Sequence, residues 1–271
     1  TGVIGSNGSP DFSLNSPTVS IVSNDGDNNI CAGTSVTFTA TPVNGGATPT
    51  YQWKVNGLNV GTGNTYTSSS LNNNDTVRVV MTSSSGCALP TTATSVGTVV
   101  TVNPNVAPTI SISGNNSICA GTSVTYSATI TNGGTTPTYQ WKLNGNNVGG
   151  NSATYITSAF ANNDTLYCVV TSSSSCATPN TATSNKIGVT VSANVTPAVS
   201  IATTNTSVCS GTTVVFTATA TNGGSTPAYQ WKVNGSNVGS NSASYSSSTL
   251  NNSDVVTCVL TSNATCAAPL T

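Results

Sequence analysis

An all-β chain of tandem sandwich domains is what the sequence predicts, on three observations. First, the phrase Tyr-Gln-Trp-Lys-(Val/Leu)-Asn-Gly stands at Tyr51–Gly57, Tyr139–Gly145 and Tyr229–Gly235, 88 and then 90 residues apart. A self-similarity period of that length is too long for a solenoid repeat and suits one sandwich domain per repeat. Second, apolar and hydroxyl-bearing residues alternate, as in Val36-Thr-Phe38-Thr-Ala40, which is the period of a half-buried strand. Third, turn signals punctuate each repeat at matching places, and no segment shows a helical period.

Taken in order, the first repeat opens with a strand at Pro17–Ile21, matched by Pro108–Ile112 and Pro197–Ile201. A second strand runs from Cys31 to Ala40, with Val36, Phe38 and Ala40 on one face. Asn44-Gly45-Gly46 is a turn, repeated as Asn132-Gly-Gly134 and Asn222-Gly-Gly224. The next strand carries Tyr51, Trp53 and Val55 inward, and Asn56-Gly57 closes it as a hairpin pair. Short strands near Val60 and Tyr66 follow, then a strand from Asp75 to Thr82 and a last one from Thr94 to Val102, matched by Thr183–Val191. About seven short strands with a central Trp and a Cys-bounded span predict three immunoglobulin-like β-sandwiches. The core indoles are Trp53, Trp141 and Trp231. The boundaries fall at 1–16 (an extension), 17–103, 104–193 and 194–271, and the third domain lacks the counterpart of its last strand.

Charge is almost absent, with five Lys and Arg, six Asp, and neither Glu nor His among 271 residues. A net charge of −1 excludes nucleic acid as a partner, since binding it needs a basic surface. It also argues against capture by an anionic membrane. No run of 18 apolar residues exists, so no helical span and no membrane insertion is expected. A neutral, hydroxyl-rich surface suits a glycosylated or self-associating protein.

The eight Cys fall as Cys31 and Cys87, then Cys119, Cys168 and Cys176, then Cys209, Cys258 and Cys266. The first repeat carries only the outer two, whose separations are 56, 57 and 57 residues in the three repeats. The parsimonious pairing is therefore Cys31–Cys87, Cys119–Cys176 and Cys209–Cys266, in an oxidising compartment. Cys168 and Cys258 stay as thiols, because their counterpart is Val79 at an inward position and a buried Cys behaves as a small hydrophobe. The competing bridge, Cys119–Cys168, has no equivalent in the first repeat.

Catalytic signals are nearly void. Without His or Glu, acid–base work falls to isolated Asp or Lys. Each repeat offers one Lys beside its Trp (Lys54, Lys142, Lys232) and one Asp before the long strand (Asp75, Asp164, Asp254), read as a solvated cation and a turn organiser. The cluster Asp25-Gly-Asp-Asn28 has oxygens of the kind calcium takes. It occurs in one repeat only and is equally an ordinary turn, so no metal and no cofactor is assigned. Outward Thr rows suggest a flat surface such as polysaccharide or ice, but Thr is also simply a favoured strand residue.

Ile30–Thr41, Thr50–Gly57 and Asp254–Thr261 resemble repeats of very large secreted surface proteins of Bacteroidota, immunoglobulin-like or PKD-like and present in many tandem copies. The resemblance covers nearly everything from Pro17 onward. It implies a non-enzymatic adhesin, stalk or surface filament, exported by the type IX route and partnered by neighbouring repeats, by itself or by surface glycans. It also implies O-glycosylation at Asp-(Ser/Thr)-aliphatic sites, which Asp75-Thr76-Val77 and Asp164-Thr165-Leu166 match and Asp254-Val255 does not. The alternative is a carbohydrate-binding accessory module of a secreted polysaccharide-degrading enzyme. The unpaired edge of the third domain has two readings: the chain is an excerpt of a longer array whose next residues supply the strand, or a foreign strand completes the edge, for which Thr1–Ser16, with Val3-Ile4 and Phe12-Ser-Leu14, is the candidate donor.

Overall fold

Each repeat places its alternating segments in two facing sheets, and the computed structural model describes this for residues 15–269. The first repeat contains β1 (Thr18–Ser23), β2 (Asn29–Cys31), β3 (Val36–Val43), β4 (Thr50–Val55), β5 (Leu58–Thr62), β6 (Thr65–Ser68), β7 (Asp75–Thr82), β8 (Thr92–Thr94) and β9 (Thr98–Asn103). One sheet has the order β1-β3-β6; the other has β2-β9-β7-β4-β5 with β8 on β7. The second repeat follows with β10 (Thr109–Ser113), β11 (Ser117–Cys119), β12 (Val124–Thr131), β13 (Thr138–Leu143), β14 (Asn146–Val148), β15 (Thr154–Thr157), β16 (Asp164–Thr171), β17 (Thr181–Thr183) and β18 (Ile187–Ser192). The third shows β19 (Ala198–Thr203), β20 (Val214–Thr221), β21 (Ala228–Val233), β22 (Ser236–Val238), β23 (Ser244–Ser247) and β24 (Val256–Thr261) among the described residues. The fold is all-β, a tandem array of immunoglobulin-like sandwiches. The chain divides into two compact units, Thr1–Thr109 with Thr131–Pro137 and Thr171–Ala182, and Ile110–Ile130 with Thr138–Val170 and Thr183–Thr271.

The inward positions form the core. Val36, Phe38 and Ala40 of β3 face Trp53 of β4 and Val77, Val79 and Met81 of β7, all buried. The three indoles are fully buried. Each donates its ring N–H to a backbone carbonyl, of Gly63, Ser152 and Ser242 respectively, at 2.9 Å in every case. A buried indole needs such a partner. Tyr66, Tyr155 and Tyr245 stack on them at centroid distances of 6.0, 5.7 and 5.8 Å.

Two expected strands are broken in the structure, and the break matters. The segment from Cys31 to Ala40 is two strands: Ala32–Ser35 turns at Gly33, where φ is +82°, so β2 and β3 lie in different sheets. Thr94–Val102 likewise divides into β8 and β9. Short β2 exists only as the parallel partner of β9, with Cys31 opposite Asn103.

Gly33 and Gly46 separate two costs of losing glycine. Both have positive φ, but a Cβ on Gly33 meets nothing within 4 Å, while one on Gly46 would lie 2.6 Å from the Ser85 nitrogen. Gly33→Ala is expected to cost about 1 kcal/mol from backbone strain alone. Gly46→Ala adds a backbone clash and should cost clearly more. Urea melts of the two variants check the order, and equal losses would contradict it.

Candidate functional site: the cysteine junctions between repeats

The register of the second sheet decides where each Cys can reach. Cys31 ends β2 beside Asn103, and β9 runs antiparallel to β7 with Val100 opposite Asp75. Cys31 therefore sits past the first residue of β7, whereas Cys87 lies five residues beyond its last, Thr82. Eight strand residues span about 26 Å, and a disulfide needs Cα atoms within about 7 Å. A Cys31–Cys87 bridge is sterically excluded.

The bridges instead run from one repeat to the next. Cys31 pairs with Cys176 and Cys119 with Cys266, each with Cα atoms 5.4 Å apart. This corrects the expected pairs Cys31–Cys87, Cys119–Cys176 and Cys209–Cys266. Cys87 and Cys209, expected in bridges, are free and exposed. In both bridges the first Cys of a repeat bonds the last Cys of its successor.

The linkers are bonded on both sides of each bridge. In the first junction, Asn105 Nδ2 donates to the Ala32 carbonyl at 3.0 Å. Val106 N–H donates to the Cys176 carbonyl, and Thr178 N–H returns to the Val106 carbonyl, both at 3.0 Å. Asn132 Nδ2 caps the Ala107 carbonyl at 3.0 Å. The second junction repeats the set: Asn194 to Ala120 at 3.1 Å, Val195 to Cys266 at 2.9 Å, Ala268 to Val195 at 3.0 Å and Asn222 to Thr196 at 2.9 Å. The entrance of the first repeat shows half of the pattern. Asn15 N–H donates to the Cys87 carbonyl at 3.3 Å, and Asn44 Nδ2 to the Ser16 carbonyl at 3.1 Å.

Of the remaining thiols, Cys168 is buried and Cys258 is half-buried. Cys168 is buried on β16, and its backbone N–H donates to Ser184 Oγ at 3.0 Å. Val79, its counterpart, is buried and makes the same bond to Ser95 Oγ. Burial pushes the Cys168 thiol up to about 11, against a smaller opposing hydrogen bond from the Gln140 backbone. Cys258 is also raised by burial. A thiol held neutral is a poor nucleophile.

The Asp before each long strand ties that strand to the hairpin turn. Asp75 accepts from Asn56 Nδ2 at 2.7 Å and from the Asn72 N–H at 2.8 Å, and Asn56 Oδ1 accepts from the Thr76 N–H at 3.0 Å. Asp164 with Asn144 and Asp254 with Asn234 form the same knot. Thr76 and Thr165 are half-buried on β7 and β16. Asp25 and Asp27 both accept from the Asn29 N–H, closing a turn. Among the described residues, no group of three or more His, Cys, Asp or Glu is placed to hold a metal ion. No helix there is long and apolar enough to cross a membrane. Of the candidate donor Thr1–Ser16, residues 1–14 lie outside the described residues.

Residues 17–104 match the family described as Ig-like domain, CHU_C associated. No curated protein matches the chain. Among solved structures, the three N-terminal domains of the bacteriophage RB49 Highly Immunogenic Outer Capsid protein are similar at 15% identity and TM-score 0.33, over 80% of this chain and 76% of that one. The fibronectin(III)-like modules of Clostridium thermocellum CbhA are similar at 16% and 0.33, over 64% and 94%. A marsupial T cell receptor is similar at 13% and 0.38, over 90% and 99%.

Two outcomes test the site. Stretched by its ends, the reduced chain should extend to roughly 950 Å and the oxidised chain to roughly 330 Å, because the bridges short-circuit the backbone; equal lengths in a force experiment would contradict the pairing. Asp254 is held below its ordinary value by the Asn251 N–H and then by the Asn234 amide. A depressed carboxylate contributes stability that is complete above its unfolded value and is lost as pH falls through the folded one. Acid melts of the third repeat should therefore lose part of their steepness in Asp254→Asn, and an unchanged acid profile would contradict the role.

Proposed function

We propose that the chain is an extracellular, non-enzymatic structural repeat protein that forms a stalk or filament on a bacterial cell surface and serves adhesion. The observation that carries this reading is the covalent tie between consecutive repeats, Cys31 to Cys176 and Cys119 to Cys266. A domain joined to its successor by a linker alone parts from it as soon as the junction hydrogen bonds yield. A disulfide spanning the junction makes that parting require cleavage of a covalent bond, which suits a tether under load. Disulfides of this kind persist in oxidising surroundings outside the cytosol. The near-neutral, hydroxyl-rich strand faces suit a surface that meets many copies of itself or neutral glycans.

Antibodies raised against the chain should label intact, unpermeabilised cells of the source organism, on projections visible in the electron microscope. Labelling that needs permeabilised cells would overturn the proposal.

A further inference from the structure

The cations of the chain are Lys54, Arg78, Lys142, Lys186 and Lys232, and they share one kind of place. Trp53, Trp141 and Trp231 point into the core, so the next residue of each strand, Lys54, Lys142 or Lys232, points out of the second sheet. Arg78 alternates with buried Val77 and Val79 on β7 and points out of the same sheet, directly opposite Lys54. Lys186 precedes β18, and its Nζ lies 5.3 Å from the centroid of the Tyr167 ring. Tyr167 in turn alternates with buried Leu166 and Cys168 on β16, so it too stands on the outer face. The outward positions of the β1-β3-β6 sheet carry hydroxyls and valine and no cation.

The described carboxylates stand elsewhere. Asp75, Asp164 and Asp254 are held in the turn knots, and Asp25 and Asp27 close a loop. Among the described residues the cations meet neutral partners. Lys54 Nζ donates to Asn59 Oδ1 at 2.8 Å, Lys142 Nζ to Asn147 Oδ1 at 2.7 Å, and Arg78 Nη1 to the Ser95 carbonyl at 3.3 Å. Like charges directly opposite each other on neighbouring strands cost stability, and Lys54 and Arg78 form such a pair. The first two repeats also put a cation at one spot by different routes. Arg78 and Gly97 of the first are the counterparts of Tyr167 and Lys186 of the second. Arg78 lies over Gly97, where an added Cβ would be 2.9 Å from its Nε, while Lys186 lies over Tyr167. A packing role would repeat the side chain; what repeats here is the charge.

We propose that the outer face of the second sheet binds an acidic polysaccharide, a chain whose sugars carry carboxylates, through Lys54 and Arg78 in the first repeat and Lys142 and Lys186 in the second. This rests on the surface-adhesion reading and deepens it by naming the partner and the face. Carboxylates complement cations that have no acidic partner, and the planar guanidinium of Arg78 can take both oxygens of one. The Lys54 and Arg78 backbones, about 5 Å apart across the strands, set two positive charges within reach of neighbouring sugars. Thr76 and Thr165 add outward hydroxyls beside the cations for the sugar hydroxyls. A polymer charged at every sugar suits sites that are weak singly and recur from repeat to repeat, because linked contacts reinforce one another. The net charge of −1 hides the face, since it sums cations and carboxylates that stand in different places.

The test is affinity electrophoresis of the full chain, with both bridges formed, in native gels containing polygalacturonate, dextran or polyglutamate. Polygalacturonate should retard the chain at low salt, and added salt should relieve the retardation by screening. Arg78→Gln and Lys186→Gln, both at exposed positions, should each weaken binding by up to roughly fivefold, and the double variant by roughly tenfold or more. Adding Thr41→Lys to Arg78→Gln restores the net charge on the outer face of the first sheet and should not restore binding. No retardation by polygalacturonate, equal retardation by dextran or polyglutamate, an unchanged double variant or rescue by Thr41→Lys each removes the proposal. Surface labelling of intact cells alongside failed retardation would leave the structural reading standing and remove this one; retardation alongside labelling only of permeabilised cells would do the reverse.

Discussion

The parallel pairing of β2 with β9 is the constraint from which the rest follows. It takes the chain out of the first sheet for three residues, lays Cys31 against Asn103, and so puts the sulfur at the end of the domain where the chain leaves. From there the neighbouring repeat is closer than the far end of the same repeat. The pairing also explains why Ser207–Cys209 is not a strand among the described residues. An isolated three-residue strand has no partner for its backbone groups, and β2 and β11 are strands only because β9 and β18 lie beside them. One pairing thus sets the covalent topology of the first two repeats.

The sandwiches are held with almost no charge. Their cores depend on one indole, one stacked tyrosine and a few β-branched residues, and their turns on amide-to-carboxylate knots such as Asn56 with Asp75. Junction contacts are of the same kind: asparagine amides donating to carbonyls on either side of the linker. Each such bond contributes only about 1 kcal/mol net. The bridges are of another order. In the chain-entropy account, closing a loop of 145 residues restricts the unfolded chain by about 5 kcal/mol. Small domains with modest cores gain most from such a constraint.

The fold was legible because its signals are local. The alternation in β3 and β7, the Asn-Gly turns and the recurring Trp each report on a few neighbouring residues, and three copies reinforce one another. The bridges were not, because a period near 90 makes within-repeat and next-repeat pairings equally regular: separations of 145 and 147 are as constant as 56 and 57. Two residues nevertheless carried the answer. Cys31 has the opposite parity to Val36, Phe38 and Ala40, so even on an unbroken strand it faces away from the core that an internal bridge would cross. Gly33, at φ +82°, breaks the strand immediately after it.

The order of the four bonded cysteines has a mechanical consequence that neither bridge has alone. Cys119 lies inside the loop closed by Cys31 and Cys176, and Cys176 lies inside the loop closed by Cys119 and Cys266. The loops overlap, so every peptide bond between Cys31 and Cys266 is bypassed by at least one disulfide. A single proteolytic cut anywhere in that span leaves the two pieces covalently joined. Bridges confined to single repeats would protect the domains and leave each linker as a point of severance. Pairing each repeat with the next covers the linkers Pro104–Pro108 and Asn194–Pro197 instead, where exposed, domain-connecting backbone is most open to attack. The linker is the part that a bridge within one repeat would leave open to severance, and it is the part this pairing guards.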